Sequence, residues 1–394
     1  MNKRLILSII FLIVLILFAL LVGGSFPYLL LFLVVFIYGY SILSHRKIKK
    51  DLIAVFWSDK DLVEKGDIVE INYKLYNSSL LPLVYAEVND NISERLNNQE
   101  RKTNVYFMTP FDTINIIRKI KCQHRGIYDV GKLEVVTGDI FGLKDTKLLI
   151  KDPLDLTVYP KVYNLKQFNI SGSESFGSVT TTQKFNEDYS SIKNIRKYQQ
   201  GDSIKRVNWK VTARKGELFV KNYDVSTNVE LQLFMDFQSD KYSKDFDGLI
   251  EEKIVECAIS IVRYALYRKV STNFVTYTHK KIELRGKDIV SFRKFLELSA
   301  RIRPTNNINL GDIIVNESRT FSPVTTVIIV TPKVEKKLIS SILILKKMGY
   351  NIMLILANDF QKNKSLEKDI NILEKSGVDI YKVDLEDDIR YALG

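Results

Sequence analysis

The sequence has few of the residues that form disulfides or bind transition metals. Its 394 residues include two cysteines and three histidines. These numbers exclude a disulfide framework and argue against a structural zinc site of the Cys/His type. Only eight prolines occur, and no repeat or low-complexity tract interrupts the chain. At about 150 residues per domain, this composition predicts a globular protein of two or three domains.

Motifs of several enzyme classes are also missing. The chain has no Gly-x-x-x-x-Gly-Lys-Ser/Thr phosphate loop and no Gly-x-Ser-x-Gly nucleophile elbow. Cys122 and His124 could formally pair as nucleophile and base, but a core cysteine beside a surface histidine is the simpler interpretation. Glu251 and Glu252 open a predicted helix, where acidic groups favour the positive end of the helix dipole. We therefore expect no enzymatic activity.

Positive charge is in excess and is concentrated in two segments. The formal net charge is +12, and residues 1–50 and residues 184–221 each contribute +6. The rest of the chain is neutral overall. In the first segment the basic residues flank an apolar region, whereas the second holds ten lysines and arginines among four acids. The two segments therefore need separate explanations.

Two uncharged apolar runs occupy the first basic segment. They cover residues 5–22 and 28–43, with Gly-Gly-Ser-Phe-Pro between them. Since a helix needs roughly 17–25 residues to cross the hydrocarbon of a bilayer, the runs predict a transmembrane hairpin over residues 1–50. A signal peptide is the alternative, but no small-residue cleavage site follows the first run. Basic residues before the first run and after the second predict a two-span cell-membrane protein with both termini and the soluble domains in the cytoplasm.

The soluble part divides into three segments by its patterning. Residues 51–165 contain short alternating runs, such as 68–76, and predict an immunoglobulin-like β-sandwich. Residues 166–228 combine a Ser/Thr/Gly-rich stretch, expected to be a flexible loop, with the second basic segment. Residues 229–394 alternate strand and helix patterns and predict an α/β domain with a mainly parallel sheet. The fold class is therefore α+β, with several domains.

The second basic segment carries a specific pattern. Its key positions are Arg196, Tyr198, Gly201, Asp202, Arg206, Trp209, Lys210 and Arg214. The pattern resembles that of a bacterial family, domain of unknown function 58 (DUF58), whose members are membrane-anchored and contain a von Willebrand factor A-like domain. Turns at residues 125–128 and 138–143 also resemble that family, although Ile140 and Gln200 stand where it usually has proline.

The resemblance implies an architecture and a partner, but no reaction. It implies that residues 229–394 form a von Willebrand factor A-like, Rossmann-like domain. The family has no established enzymatic activity, and its genes commonly neighbour that of a MoxR-type AAA+ ATPase. The resemblance thus implies a non-enzymatic scaffold or adaptor that works with such an ATPase in the assembly or maturation of other proteins.

We call the eight key positions of this pattern the signature, and two interpretations of it stay open. In the first, Asp202, Trp209 and the arginines Arg206 and Arg214 form a structural network between the two soluble domains, through ion pairs and stacking. In the second, the basic residues outnumber the nearby acids and form a face that binds an acidic partner protein. Nucleic acid is not expected as a partner, because the aromatic residues do not alternate as a stacking platform.

A degenerate metal site is expected after the first strand of the α/β domain. Von Willebrand factor A-like domains can bind a divalent cation through an Asp-x-Ser-x-Ser motif. Here Asp236, Ser239 and Asp240 fall in that stretch, with Gln238 in place of the first serine. Lys333 is expected to bring positive charge close to the ion. Since Mg²⁺ prefers an octahedron of oxygen ligands, we expect no cofactor or weak Mg²⁺ binding; a divalent-metal-dependent ligand-binding domain is the alternative function.

Overall fold

The computed structural model describes residues 3–60, 62–90, 92–96, 103–141, 143, 145–170, 188–224, 230–322, 324–360 and 367–394. The chain divides into two units, Met1–Lys161 and Val162–Gly394. Both contain helices and sheets, so the chain is a mixed α+β protein of more than one domain, as the sequence predicts. The immunoglobulin-like and von Willebrand factor A-like identities stay predictions.

Two apolar helices open the first unit. α1 spans Lys3–Val22 and α2 spans Ser25–Asp51. They are separated by Gly23 and Gly24, both with positive φ, a conformation that glycine adopts without steric cost. Among the side chains that the structure describes, α2 is the one helix long and apolar enough to cross a membrane, and 10–22 is a shorter apolar stretch of α1.

In the described part of the first unit, ten strands follow α2 and contribute to one hydrophobic core. They are β1 (Leu52–Ser58), β2 (Val63–Glu64), β3 (Ile68–Asn77), β4 (Leu83–Asp90), β5 (Asn104–Met108), β6 (Thr113–Lys121), β7 (Gly126–Asp129), β8 (Lys132–Gly138), β9 (Asp145–Lys151) and β10 (Asp155–Tyr159). Their sheet orders are β1-β3-β6, β2-β10-β7 and β5-β4-β8-β9. Val69, Ile71, Tyr73 and Leu75 of β3 are all buried, which confirms the alternation predicted for this strand.

The second half of α2 packs against these strands. The rings of Tyr40 and Phe141 meet edge to face, with centroids 5.8 Å apart. The hydroxyl of Ser41 donates a hydrogen bond to one carboxylate oxygen of the buried Asp139. The other oxygen of Asp139 accepts the backbone N–H groups of Phe141 at 2.9 Å and Leu143 at 3.1 Å. One carboxylate therefore shapes the turn between β8 and β9 and holds it against α2.

The second unit contains the signature hairpin, which we define as residues 188–224. Its strands β11 (Asp188–Lys197) and β12 (Phe219–Asp224) pair antiparallel, and the short helix α3 (Trp209–Lys215) lies between them in the chain. The structure thus gives regular secondary structure to the part of residues 166–228 that carries the signature. The loop predicted over 171–182 lies outside the described residues.

Strands and helices then alternate through the rest of this unit. They are β13 (Glu230–Met235), α4 (Leu249–Tyr267), β14 (Ser271–Tyr277), β15 (Lys281–Gly286), α5 (Phe292–Arg301), α6 (Leu310–Ser318), β16 (Thr325–Thr331), α7 (Lys336–Lys347), β17 (Asn351–Asn358), α8 (Glu367–Lys375), β18 (Asp379–Asp384) and α9 (Ile389–Ala392). The strands form one sheet in the order β15-β14-β13-β16-β17-β18. Only the β14–β15 pair in this sheet is antiparallel, so the mainly parallel sheet is confirmed.

The carboxyl-terminal elements differ from the sequence patterns at three places. β15 and α6 were absent from the pattern-based prediction, because β15 is a half-exposed edge strand and α6 is only nine residues long. The sequence pattern also favours a closing helix over residues 386–393, and the structure has only the shorter α9 there. The side chain of Asp388 accepts the backbone N–H of Arg390 at 3.0 Å and so caps the helix late in this stretch.

Asp139→Ala is expected to destabilise the first unit by about 2 kcal/mol, because the buried hydroxyl of Ser41 and two backbone N–H groups of the turn lose their acceptor. Unfolding of the detergent-solubilised full chain can be followed by the fluorescence of Trp57 in a Trp209→Phe background, since these are the two tryptophans of the chain. Asp129→Ala, which removes an exposed ion pair with Lys132, is the matched control. An equal effect of the two substitutions would show that Asp139 does not hold the turn.

Candidate functional site

The signature hairpin places Asp202 in a tight turn. Gly201 has a φ of 107°, which favours glycine, and the Asp202 carboxylate accepts the backbone N–H of Gln199 at 2.9 Å. Arg196 on β11 donates two hydrogen bonds to the two Asp202 oxygens, each at 2.8 Å. Hydrogen bonding from Arg196 lowers the pKa of Asp202 below its ordinary value, so the carboxylate stays ionised at neutral pH.

The helix α3 presents an aromatic and two basic side chains to solvent. The side chain of Asn208 caps its amino terminus, and Gly216 ends it in a left-handed conformation. The side chain of Trp209 is 65% exposed. Lys210 and Arg214 are exposed too and lie four residues apart, which puts them on one face of the helix. The helix therefore carries a mixed aromatic and cationic surface.

The eight signature residues thus divide by their roles on the hairpin. Arg196, Gly201 and Asp202 build the turn, and Tyr198 and Arg206 are half-buried. The bidentate partner of Asp202 is Arg196, whereas the sequence interpretation considered Arg206 and Arg214.

Asp236 lies at the carboxyl end of the parallel sheet, where β13 and β16 end side by side. Its side chain is buried, and its carboxylate accepts hydrogen bonds from the ammonium of Lys241 at 2.7 Å and the hydroxyl of Thr331 at 2.6 Å. The Lys241 side chain is only 1% exposed. The charge of Asp236 is therefore compensated inside the protein by a lysine.

Two of the three side chains expected to hold a divalent cation are engaged with other residues. The hydroxyl of Ser239 donates to Asn307 at 2.8 Å, Asp240 is exposed, and Asp236 is bound by Lys241. Among the residues that the structure describes, no group of three or more His, Cys, Asp or Glu is arranged to hold a metal ion. This arrangement does not fit the oxygen octahedron of Mg²⁺.

Lys241 is the residue at this position that the sequence analysis missed. The expected source of positive charge was Lys333, whose side chain is exposed. Lys241 instead reaches Asp236 because a short 3₁₀ turn over Ser239–Tyr242 brings the chain back over the end of β13. The Tyr242 hydroxyl donates to the backbone carbonyl of Asp236 at 2.5 Å and closes that turn. The sequence did contain a signal for this ion pair, since Lys241 directly follows Asp240 at the end of the degenerate metal motif.

The other groups considered for catalysis are buried in structural roles. Cys122 is fully buried, and burial raises the pKa of its thiol to about 11. Burial raises the pKa of Cys257 as well. The nucleophilic thiolate is thus scarce at neutral pH. Glu251 accepts a hydrogen bond from Arg303 at 2.7 Å, so it is part of a partly buried ion pair.

Lys241→Met is expected to destabilise the second unit by about 3–5 kcal/mol, because it leaves the Asp236 carboxylate buried without a counter-charge. The double variant Asp236→Asn/Lys241→Met should recover most of the loss, since neither charge then remains. Thermal unfolding of the full chain, followed by circular dichroism, measures both. Lys244→Met, at an exposed lysine of the same segment, is the control. A Lys241→Met variant as stable as the parent would contradict the ion pair.

Comparisons with known proteins found one family match and several similar proteins. A family model described as "Protein of unknown function DUF58" matches residues 194–273, from β11 into β14. The "Uncharacterized protein YeaD" of Bacillus subtilis (strain 168) is 24% identical over 214 residues, which cover 53% of this chain and 51% of YeaD. The chain therefore spans about half the length of this curated relative.

Two solved structures are similar to parts of the chain. An aerotolerance-related membrane protein from Bacteroides fragilis, with multiple mutations to serines, is 14% identical with a TM-score of 0.29; the match covers 42% of this chain and 94% of that one. The DNA glycosylase AlkC of Pseudomonas fluorescens is 10% identical with a TM-score of 0.18, covering 34% and 42%. Both scores are too low to support an argument about fold or function. The family match and the YeaD similarity, together with the signature residues, show that part of this chain, which includes residues 194–273, is similar to the DUF58 family.

Proposed function

We propose that the chain is a non-enzymatic adaptor, anchored in the cell membrane, which presents the signature hairpin to a partner protein. The observation that carries this proposal is the 65% exposure of Trp209 beside two exposed basic side chains on α3. Tryptophan and arginine are the residue types that most often dominate binding energy at protein interfaces. An exposed tryptophan within a basic surface fits a partner with an apolar pocket in an acidic surrounding.

The partner that we propose is an AAA+ ATPase of the MoxR type. The support is the similarity to the DUF58 family, since genes of this family commonly neighbour those of such ATPases. In this proposal the ATPase provides the energy of ATP hydrolysis and the present chain keeps it at the membrane, where the two assist the assembly or maturation of other proteins. The hairpin itself holds no phosphate loop or nucleophile motif, which is consistent with binding and not with catalysis.

The proposed anchor is the pair of helices α1 and α2, with both termini and the soluble domains in the cytoplasm. α1 is 20 residues long and α2 is 27. A helix of 20 residues is about 30 Å long, enough to cross the hydrocarbon of a bilayer. Basic residues lie at the start of α1 and at the end of α2, where the positive-inside rule supports a cytoplasmic location.

Trp209→Ala and Arg214→Ala are each expected to reduce ATPase recovery at least tenfold, because loss of a central interface anchor costs about 2 kcal/mol or more. The tagged full chain is extracted gently from its native membrane with a non-hydrolysable ATP analogue, and co-purifying proteins are quantified by mass spectrometry. Tyr267→Ala and Arg319→Ala remove an exposed aromatic and an exposed arginine elsewhere in the same unit and serve as matched controls.

Equal recovery of the ATPase with all four variants would remove the hairpin as the contact. If no AAA+ ATPase co-purifies with the folded parent protein, the proposed partner is wrong. Circular dichroism of each purified variant separates loss of binding from loss of folding.

The alternative function, a divalent-metal-dependent ligand-binding domain, has less support, since Lys241 already neutralises Asp236. We expect millimolar Mg²⁺ to leave the melting temperature of the full chain unchanged relative to an equal ionic strength of KCl. A ligand that binds only the folded state at 100 times its Kd would add about 2.7 kcal/mol. A Mg²⁺-specific rise in melting temperature that Asp236→Asn abolishes would restore the metal-dependent function.

A further inference from the structure

The turn between β8 and β9 exposes three large apolar side chains within four residues. Ile140, Phe141 and Leu143 are 49%, 46% and 40% exposed. Turns that face water are usually built from glycine, asparagine, aspartate and serine. Single exposed apolar residues are common on protein surfaces, but a cluster at a hairpin tip indicates contact with another apolar phase. We refer to these three residues as the apolar tip.

The apolar tip points along α2 toward the apolar part of that helix. At the tip, Phe141 contacts Tyr40 and Asp139 accepts the hydroxyl hydrogen of Ser41. Further from the tip, on β9, the hydroxyl of Thr146 is hydrogen-bonded to the ring of His45. Thr146 on β9 therefore contacts α2 near its basic carboxyl-terminal end, whereas the tip contacts the helix closer to its apolar amino-terminal part. The hairpin and the helix are held side by side by these contacts.

The length of α2 places the tip at one specific depth. Residues 25–44 carry no charged side chain, and Arg46 is the first fixed charge of the helix. Twenty helical residues are about 30 Å long, which equals the hydrocarbon thickness of a bilayer. Tyr40 and Ser41 lie in the last part of this stretch. A side chain that contacts them therefore lies where hydrocarbon gives way to lipid headgroups.

We propose that the apolar tip inserts into the interfacial layer of the bilayer, on the side where α2 leaves it. The lipid surface is the occupant that the geometry favours, because the tip continues the apolar surface of α2 and adjoins Tyr40, a residue type enriched at membrane interfaces. The first unit then has two attachments to the membrane, α2 and the tip. The inference rests on the proposed anchoring by α2.

The test uses a single cysteine as the site of a fluorescent label. Cys122 and Cys257 are both buried, so a labelled Phe141→Cys full chain carries the fluorophore at the tip, with the unsubstituted chain as the labelling control. The protein is reconstituted into vesicles of zwitterionic and anionic phospholipid. Quenching by a nitroxide near the acyl-chain carbonyl is compared with quenching by aqueous iodide. We expect several-fold stronger nitroxide quenching than for Leu149→Cys and protection from iodide.

Leu149→Cys is a matched control because Leu149 is an exposed apolar residue of the same hairpin. It lies four residues from the start of β9, which is about 13 Å further along the strand. Leu143→Cys repeats the measurement at the tip if Phe141→Cys does not fold. Iodide quenching of the tip label equal to that of the Leu149 label would overturn the proposal. Protection from iodide without nitroxide quenching would overturn it too, because the tip would then be covered by protein.

A label at Phe36→Cys, on the exposed surface of α2, separates this inference from the anchoring on which it rests. Suppose that nitroxide lipid quenches the label at position 36 while iodide quenches the label at the tip. This result would support the anchoring by α2 and would overturn the proposed insertion of the apolar tip. Iodide access at position 36 would overturn the anchoring by α2, and the inference with it.

Discussion

The contact between α2 and the turn after β8 is the constraint on which the first unit depends. Asp139 is buried and uses both carboxylate oxygens, one for Ser41 of the helix and one for two backbone N–H groups of the turn. A buried carboxylate is costly unless it is fully hydrogen-bonded, so this arrangement fixes helix and turn together. The carboxyl-terminal half of α2 and the β8–β9 turn are therefore held together.

The second unit depends on a different buried charge. Its parallel sheet brings the ends of β13 and β16 together, which is where α/β proteins commonly bind ligands. Here Lys241 and Thr331 bind Asp236 at that position. The Lys241 side chain, only 1% exposed, is thus the counter-charge that the structure places beside the Asp236 carboxylate. This geometry supports a structural role for the sheet end.

The hairpin separates the residues that give it shape from those that face outward. Arg196 and Asp202 form a bidentate ion pair that keeps the turn in place. Because that pair is half-exposed, it contributes little to the free energy of folding. Its main effect is to fix the geometry of the turn. The outward helix is short, and its caps Asn208 and Gly216 define both ends. A rigid, short helix with an exposed tryptophan loses little side-chain entropy on binding, which favours recognition of a protein surface.

The sequence by itself determined the apolar helices, the alternating strand β3 and the parallel α/β part, because the periodicity of apolar residues is a local property. It also determined the signature residues and the turn at Gly201. Tertiary structure decided which charges meet: Arg196 with Asp202, Lys241 with Asp236, and Ser41 with Asp139. It decided too that Trp209 is exposed and that Phe141 lies beside α2. These outcomes depend on how turns return the chain across strand ends and helices, and residue spacing alone does not specify that geometry.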